Sequence, residues 1–154
     1  MSSGLRAFAI VAVVGLGLGL GAGGCGGGGA DKFVGTWTYA GAINPNCLGT
    51  PADPIDLTGQ TVTIMSTDST HVRVVLGTIC TVTFEVDGST ATAGANQTCM
   101  FDIPNVGPAT VMITKWTLMV SGDTIASDFT SSVLICAPSG TGTLTRQTDA
   151  GAVD

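Results

Sequence analysis

The sequence predicts an all-β domain folded as an antiparallel barrel or half-open barrel of about eight to ten short strands, with a β-sandwich as the alternative. Only 10% of the residues are charged, while Thr, Ser, Gly and Val are abundant, and this composition favours strands. Short runs alternate apolar and polar residues with the period of two that half-buried strands show. After Gly24 no window shows the 3.6-residue period of an amphipathic helix.

The first strand is predicted at residues 33–39, where Phe, Gly, Trp and Tyr occupy alternate positions. Residues 44–54 contain Asn-Pro, Gly-Thr-Pro and Asp-Pro, which break strands and form turns, so we expect a loop there. Asp87-Gly88 is a hairpin signal between two later strands. Further strands are predicted at 61–65, 71–76, 79–86, 90–93, 98–102, 110–120, 124–130, 133–136 and 141–147.

The clearest hairpin is predicted at residues 110–130, with a Ser-Gly-Asp turn in its middle. In its first strand Met112, Trp116, Leu118 and Val120 share one face. Because these side chains are apolar, we expect that face to point into the core.

Charge argues against one class of partner. Only Arg6 of the five basic residues precedes Cys25, so the remaining chain has 5 − 1 = 4 basic residues against 11 acidic ones, a net charge of −7. Such a surface repels phosphate backbones, so we expect no nucleic-acid partner.

The first 24 residues have the pattern of a cleavable signal peptide. Arg6 provides a positive start, and residues 7–20 form an uncharged apolar run of 14 residues. As a helix this run would rise about 21 Å at ~1.5 Å per residue, short of a hydrocarbon core of about 30 Å. We therefore predict a removed leader and not a membrane span.

Residues 22–25, Ala-Gly-Gly-Cys, resemble the lipobox of bacterial lipoproteins. The resemblance implies that the Cys25 thiol carries a diacylglyceryl group and that the leader is cut just before it. Several acyl chains would hold the protein on a membrane, and the lack of Asp directly after Cys25 resembles the outer-membrane sorting pattern. The alternative is an ordinary secretory leader cleaved near Ala22 or Ala30, with a free Cys25.

Four segments follow from these patterns. We assign residues 1–24 to the signal peptide, 25–30 to the lipidated cysteine and a Gly-rich tether, 31–147 to the β domain and 148–154 to a disordered tail.

Four cysteines then lie in the β domain, an even number that predicts two disulfides in an oxidising compartment. They allow three connectivities, of which we favour Cys80 with Cys99 and Cys47 with Cys136. Cys80 and Cys99 lie in strand-like runs that flank the Asp-Gly turn. Pairing directly about that turn leaves them out of register, so a bulge or longer loop is needed, for which residues 93–95 offer a site.

Residues 33–37, Phe-Val-Gly-Thr-Trp, resemble the opening strand of the calycin proteins, the lipocalins and fatty-acid-binding proteins. In that superfamily G-x-W lies at the closed end of an up-and-down barrel, and an Arg from a late strand packs across the Trp. The resemblance implies such a contact between Trp37 and Arg146, which shares strand parity with Leu144. The chain lacks the T-D-Y motif of lipocalins and the Tyr that completes the fatty-acid carboxylate site. It is also similar to small Thr- and Gly-rich lipoproteins of myxobacteria-like genomes, which implies no activity.

The residues offer little for catalysis. His71, the only histidine, has the strand parity of solvent-facing residues, and neither nucleophile-elbow nor zinc-protease nor phosphate-loop motifs occur. The carboxylate pairs Asp53 with Asp56 and Glu85 with Asp87 lie in turn or strand contexts where they more often cap turns or face water. No cysteine pair has zinc-motif spacing. We predict no enzyme activity, no cofactor and no metal.

Two functions compete on this evidence. One is a cell-envelope lipoprotein in a structural or interaction role, whose partners are the membrane, through its lipid, and another envelope protein. The other is a lipocalin-like carrier of a small hydrophobic ligand, with Trp37 and Arg146 as barrel-closing or ligand residues. A carrier requires a ligand-sized cavity inside the barrel.

Overall fold

Residues 29–103, 107–133 and 135–148 are described by the computed structural model. The predicted signal peptide, the lipobox with Cys25, and most of the predicted tail lie outside these ranges. Gly29 and Ala30, which we assign to the tether from the sequence, instead begin a short helix that packs on the barrel. No helix within the described ranges is long and apolar enough to cross a bilayer.

Twelve strands follow one short helix within these ranges. In chain order the elements are the 3-10 helix Gly29–Lys32 and the strands β1 Gly35–Asn44, β2 Asn46–Cys47, β3 Thr50–Pro51, β4 Ile55–Asp56, β5 Thr61–Asp68, β6 His71–Leu76, β7 Cys80–Asp87, β8 Thr90–Ala93, β9 Thr98–Ile103, β10 Gly107–Ser121, β11 Thr124–Ser132 and β12 Ser139–Arg146.

Eight of the strands close into one antiparallel barrel. The spatial order is β1, β5, β6, β7, β8, β10, β11 and β12, and β12 pairs with β1 to complete the circuit. The predicted barrel is confirmed, and the sandwich alternative is not what forms. Closure leaves no exposed sheet edge in the circuit, which a sandwich of short strands would have to protect.

A β-bulge in β10 corrects one part of the predicted core. The register with β11 shifts between Ile113 and Lys115. Ile113 is buried, its neighbour Met112 is 48% exposed, and Trp116 beyond the bulge is buried. Because the extra residue reverses the alternation, Met112 faces solvent although its parity predicted the core.

The two irregular segments that carry Cys47 and Cys136 also differ from prediction. The predicted loop at 44–54 contains the small hairpin of β2 with β3. The predicted strand at 133–136 is wrong, because Val133 and Cys136 exchange backbone hydrogen bonds of 2.9 and 2.7 Å across a tight turn. This turn brings Cys136 beside Cys47, as an isolated bridge between them shows.

β8 and β9 act as two halves of one strand with an excursion between them. β8 pairs with the later part of β10 and β9 with its first part, so both lie on the same side of β10. In the gap, the Gln97 side chain accepts a hydrogen bond from the Thr83 amide (2.6 Å) and donates to the Thr83 carbonyl (2.7 Å). The Gln97 amide thus replaces the missing backbone partner of β7.

Glycines allow β12 to lie close to β1. A Cβ at Gly140 would lie 2.5 Å from the Ala42 carbonyl oxygen, and a Cβ at Gly142 would overlap the Tyr39 ring. The Tyr39 ring, which is 5% exposed, occupies the space that a side chain at position 142 would fill. This arrangement is an aromatic ring packed over a glycine of the neighbouring strand.

The core fills the inside of the barrel. Its buried members come from every strand of the circuit, and the largest fully buried ones are Trp37, Phe33, Phe84, Ile64, Leu118, Ile125, Leu144, Val72, Val74, Val82 and Val111.

Candidate functional site

Two disulfides join the four domain cysteines. Cys47 is bonded to Cys136 and Cys80 to Cys99, the connectivity that the sequence favoured. The excursion between β8 and β9 supplies the register change that the second pair needs, since β7 pairs with β8 up to Ala93 and the Met100 amide of β9 then bonds the Ile79 carbonyl. Disulfides of this kind indicate an oxidising, extracytoplasmic environment.

One end of the barrel is sealed by residues Gly29–Lys32 and the two residues after them, and we call it the closed end. Ala30 and Phe33 are each 0% exposed because they insert between the strand ends. The Trp37 indole, also fully buried, donates a 2.9 Å hydrogen bond to the Phe33 carbonyl oxygen. Residues 29–34 therefore form a plug that closes this end of the barrel and leads into β1.

Arg146 fastens this plug to the barrel. Its guanidinium donates to the carbonyl oxygens of Val34 (2.7 Å) and Lys32 (3.0 Å). Its carbon Cζ lies 4.1 Å from the centroid of the Trp37 ring, and its Nε lies 3.3 Å from a carboxylate oxygen of exposed Asp123. The guanidinium donors are thus committed to the plug and to a surface carboxylate, and none of these contacts points into the barrel.

Gly35 makes room for this contact. An added Cβ there would lie 2.6 Å from Arg146 Nη1, and the residue has a φ of +144°. Trp37 and Arg146 are direct partners in the β1–β12 register, which places the ring and the cation together. The glycine of the G-x-W motif therefore serves the Trp–Arg contact.

Beyond the Trp37–Arg146 contact, the interior of the barrel is almost filled. Its remaining cavity measures about 20 Å³, lined by apolar side chains together with Tyr39 and Ser127. Ser127 accepts a 2.9 Å hydrogen bond from the Trp116 indole and interacts with the Tyr39 hydroxyl. Burial raises the pKa of Tyr39, and its hydrogen bond to Ser127 opposes that shift. A drug-sized ligand needs a pocket of roughly 300 Å³ or more, so this cavity is too small for one. It has room for about one water molecule.

The other end of the barrel carries two loops clamped together, which we call the clamped tip, residues 46–49 and 135–137. The disulfide Cys47–Cys136 joins the loops. The Leu48 amide donates to the Ile135 carbonyl (3.0 Å), and the Ala137 amide donates to the Asn46 carbonyl (2.8 Å). Leu48 is 77% exposed and Ile135 is 61% exposed. The clamped tip is therefore a braced element that holds two aliphatic side chains in solvent.

Among the described residues, the His71 side chain makes hydrogen bonds only within its own turn. Its Nδ1 lies 2.9 Å from Asp68 and 3.1 Å from the Thr70 hydroxyl, and the side chain is 42% exposed. The Thr70 backbone amide and then His71 lower the pKa of Asp68 to about 2. This geometry is that of a capped turn at the closed end.

The carboxylate pairs that the sequence singled out are also at the surface. Asp56 accepts a 2.8 Å hydrogen bond from the Thr58 amide, and the Thr58 contacts lower the Asp56 pKa. Glu85 and Asp87 line an open depression of about 340 Å³ on the outer wall. Within the described ranges, no three His, Cys, Asp or Glu side chains are grouped closely enough to hold a metal ion.

The fold and these geometries define a closed, disulfide-bonded, all-β barrel. A comparison of the chain with protein families, curated proteins and solved structures finds no match.

Two structurally important features escaped sequence reasoning. Gln97 completes the β7 ladder, but no local pattern distinguishes an amide that pairs with a backbone from one that faces water. Leu48 and Ile135 had a usable signal, because each is a large aliphatic residue beside a cysteine in a segment rich in turn formers.

Proposed function

We propose that the chain is a lipid-anchored lipoprotein of the cell envelope, with a rigid calycin-like barrel in a non-catalytic structural or interaction role. The observation that carries the role is the filled interior, with a cavity of about 20 Å³. A carrier of hydrophobic molecules needs an enclosed space at least ten times as large, on the scale of roughly 300 Å³.

The closed end supports the calycin likeness. Trp37 of G-x-W and Arg146 of the last strand meet at 4.1 Å, as that superfamily resemblance implies. Here the guanidinium is used for structure, because it bonds two carbonyl oxygens of the plug. The carbonyls replace the ligand carboxylate that an interior arginine would bind in a fatty-acid carrier.

The lipobox cysteine supports the anchor. Cys25 precedes the first described residue by four positions, and Gly29 already touches the closed end, where its Cβ position lies 3.0 Å from Val86. A chain lipidated at Cys25 would therefore hold the closed end toward the membrane, with only a few glycines between lipid and barrel.

Metabolic labelling with an alkyne palmitate tests the anchor. We expect the full-length chain to be labelled and to enter the detergent phase, and Cys25→Ser to lose both properties. Gly27→Ser, which keeps the cysteine, is the matched control and should behave as the wild type. A wild-type chain that is secreted without label would refute lipidation while leaving the barrel assignment untouched.

Native mass spectrometry together with titration of a fluorescent fatty acid tests the role. We expect no co-purifying small molecule and no saturable binding by the wild type. A fatty-acid-binding protein titrated in parallel is the positive control for the assay. A stoichiometric bound lipid in the wild type would overturn the interaction role in favour of the carrier.

A further inference from the structure

We propose that the clamped tip is the docking element of this protein, which inserts Leu48 and Ile135 into an apolar pocket of a protein partner whose surrounding surface is basic. The inference rests on the interaction role proposed above and names the surface and the partner's chemistry. Its support comes from rigidity, exposure, backbone conformation, charge and position.

Rigidity comes from the bonds between the two loops. Besides the disulfide, the amides of Leu48 and Ala137 donate to carbonyl groups of the facing loop at 3.0 and 2.8 Å. Pro45 before the first loop and Pro138 after the second are both buried. A loop held in this way loses little conformational freedom when it binds, which favours affinity.

Leu48 combines two unfavourable features that folding alone does not require. It is 77% exposed, and its φ of +52° lies in the left-handed region, where a residue with a Cβ is uncommon. Gly49 follows with a φ of +78°, so the turn already contains one residue suited to that conformation. Unfavourable conformations that are fixed by surrounding structure are typical of functional positions.

Other exposed apolar side chains lie at the same end of the barrel. Met100 is 58% and Met112 48% exposed, on the adjacent strands β9 and β10. Met112 pairs with Ser132, the last residue of β11, which precedes Ile135 of the clamped tip by three positions. The end of the barrel that carries the aliphatic pair therefore also exposes flexible thioether side chains, which adapt well to a partner surface.

Charge selects the class of partner. The exposed acids Asp53 and Asp102 lie in segments at this end, in the loop after β3 and near the end of β9. The basic residues Lys32 and Arg146 lie at the closed end, where acids such as Asp68 and Asp123 are also present. Two copies meeting tip to tip would bring acids together, and an anionic bilayer would repel them, whereas a basic protein surface is complementary.

Position supports the same conclusion. β1 begins at the closed end with Gly35 and finishes at Asn44, two residues before the clamped tip. The chain enters at the closed end, so a tether there directs the clamped tip away from the point of attachment. In the proposed orientation, Leu48 and Ile135 thus point away from the membrane.

Site-specific photo-crosslinking in living cells of the native host tests the proposal with the full-length chain. The crosslinking residue p-benzoylphenylalanine replaces Leu48 or Ile135 in two variants, and Met119 in the control. Met119 is 58% exposed but lies on β10 opposite Thr90, toward the closed end. We expect one discrete protein adduct from each tip position and none from Met119, with the crosslinked partner peptide apolar and flanked by Lys or Arg.

Charge reversal provides the second arm. Asp53→Lys combined with Asp102→Lys should reduce the adduct yield roughly tenfold, because steering by complementary charge is lost. Thermal unfolding of each purified variant, with a melting temperature within a few degrees of wild type, shows that the barrel is intact.

Several results would overturn the docking proposal. These are adducts with lipid, adducts with a second copy of the chain, equal adducts from Met119, a yield that charge reversal leaves unchanged, or no adduct at all. Palmitate labelling of the same samples reports the anchor separately, so a labelled chain without an adduct refutes docking at the tip and leaves the anchor standing.

Discussion

Replacing Arg146 with methionine should destabilise the barrel by about 3 kcal/mol. The Val34 carbonyl, which is partly buried, loses a hydrogen bond from a charged donor, and such bonds contribute about 1.5–3 kcal/mol. The cation–π contact with Trp37 adds about 1 kcal/mol. We assign no stabilising free energy to the hydrogen bond with the Lys32 carbonyl or to the ion pair with Asp123, because both residues are exposed and water can replace either interaction.

Thermal and urea unfolding of the mature domain measure this loss. At ~2.1 cal/mol/K per residue, a domain of roughly 120 residues has an unfolding entropy near 0.25 kcal/mol/K, so the melting temperature should fall by about 12 °C. Lys115→Met is the matched control: the Lys115 ammonium lies 2.6 Å from Asp128, but both side chains are half exposed. That exposed pair should contribute less than about 1 kcal/mol.

A loss below about 1 kcal/mol for Arg146→Met would refute the reasoning, since the plug would then hold without its arginine. A double-mutant cycle with Trp37→Leu separates the two contributions. We expect a coupling energy near 1 kcal/mol between Arg146 and Trp37, and additive effects would show that the ring and the cation do not interact.

Three further predictions concern other parts of the barrel. Gln97→Ala should destabilise by about 1 kcal/mol, because the Thr83 amide loses its partner while the Thr83 carbonyl keeps the Gly94 amide at 3.1 Å; equal urea midpoints for variant and wild type would contradict this. Removing the Cys47–Cys136 bond by serine substitution at both positions should cost about 4–5 kcal/mol in the chain-entropy model, since 89 residues separate the cysteines, and calorimetry measures it. The Asp68 pKa falls from 3.8 to about 2 on folding, so its carboxylate stabilises the fold above pH 3.8, and this stability is lost as pH decreases toward 2. Asp68→Asn should remove that part of the acid dependence of the melting temperature, and an unchanged profile would rule the assignment out.

The strand pattern was predictable because a barrel wall has one buried and one solvated face. His71–Leu76 and Thr90–Ala93 match the predicted ranges, since alternating side chains and turn signals are both local properties. The pairing of the cysteines followed from the same hairpin logic, once a site for the extra loop was recognised in the sequence.

Predictions failed where a residue's direction depends on its neighbours in space. Met112 has the parity of a core residue, but the bulge after Ile113 turns it outward. The predicted strand at 133–136 is bent by its own turn so that Cys136 reaches Cys47. Neither event has a local signature, because a bulge or a bend is decided by the partner strand.

By itself, the sequence determined the class of this protein: alternation of apolar and polar residues with abundant Thr and Val requires sheets, and paired cysteines require oxidation. It also identified Trp37 and Arg146 as partners through motif and parity. Only the tertiary structure decided what surrounds them and what the barrel holds. Whether an interior is empty depends on how side chains from eight strands fill a common volume, and the 20 Å³ that remain are a property of their packing together. The clamped tip is likewise decided in three dimensions, because Leu48 and Ile135 become neighbours only when the two ends of the circuit close.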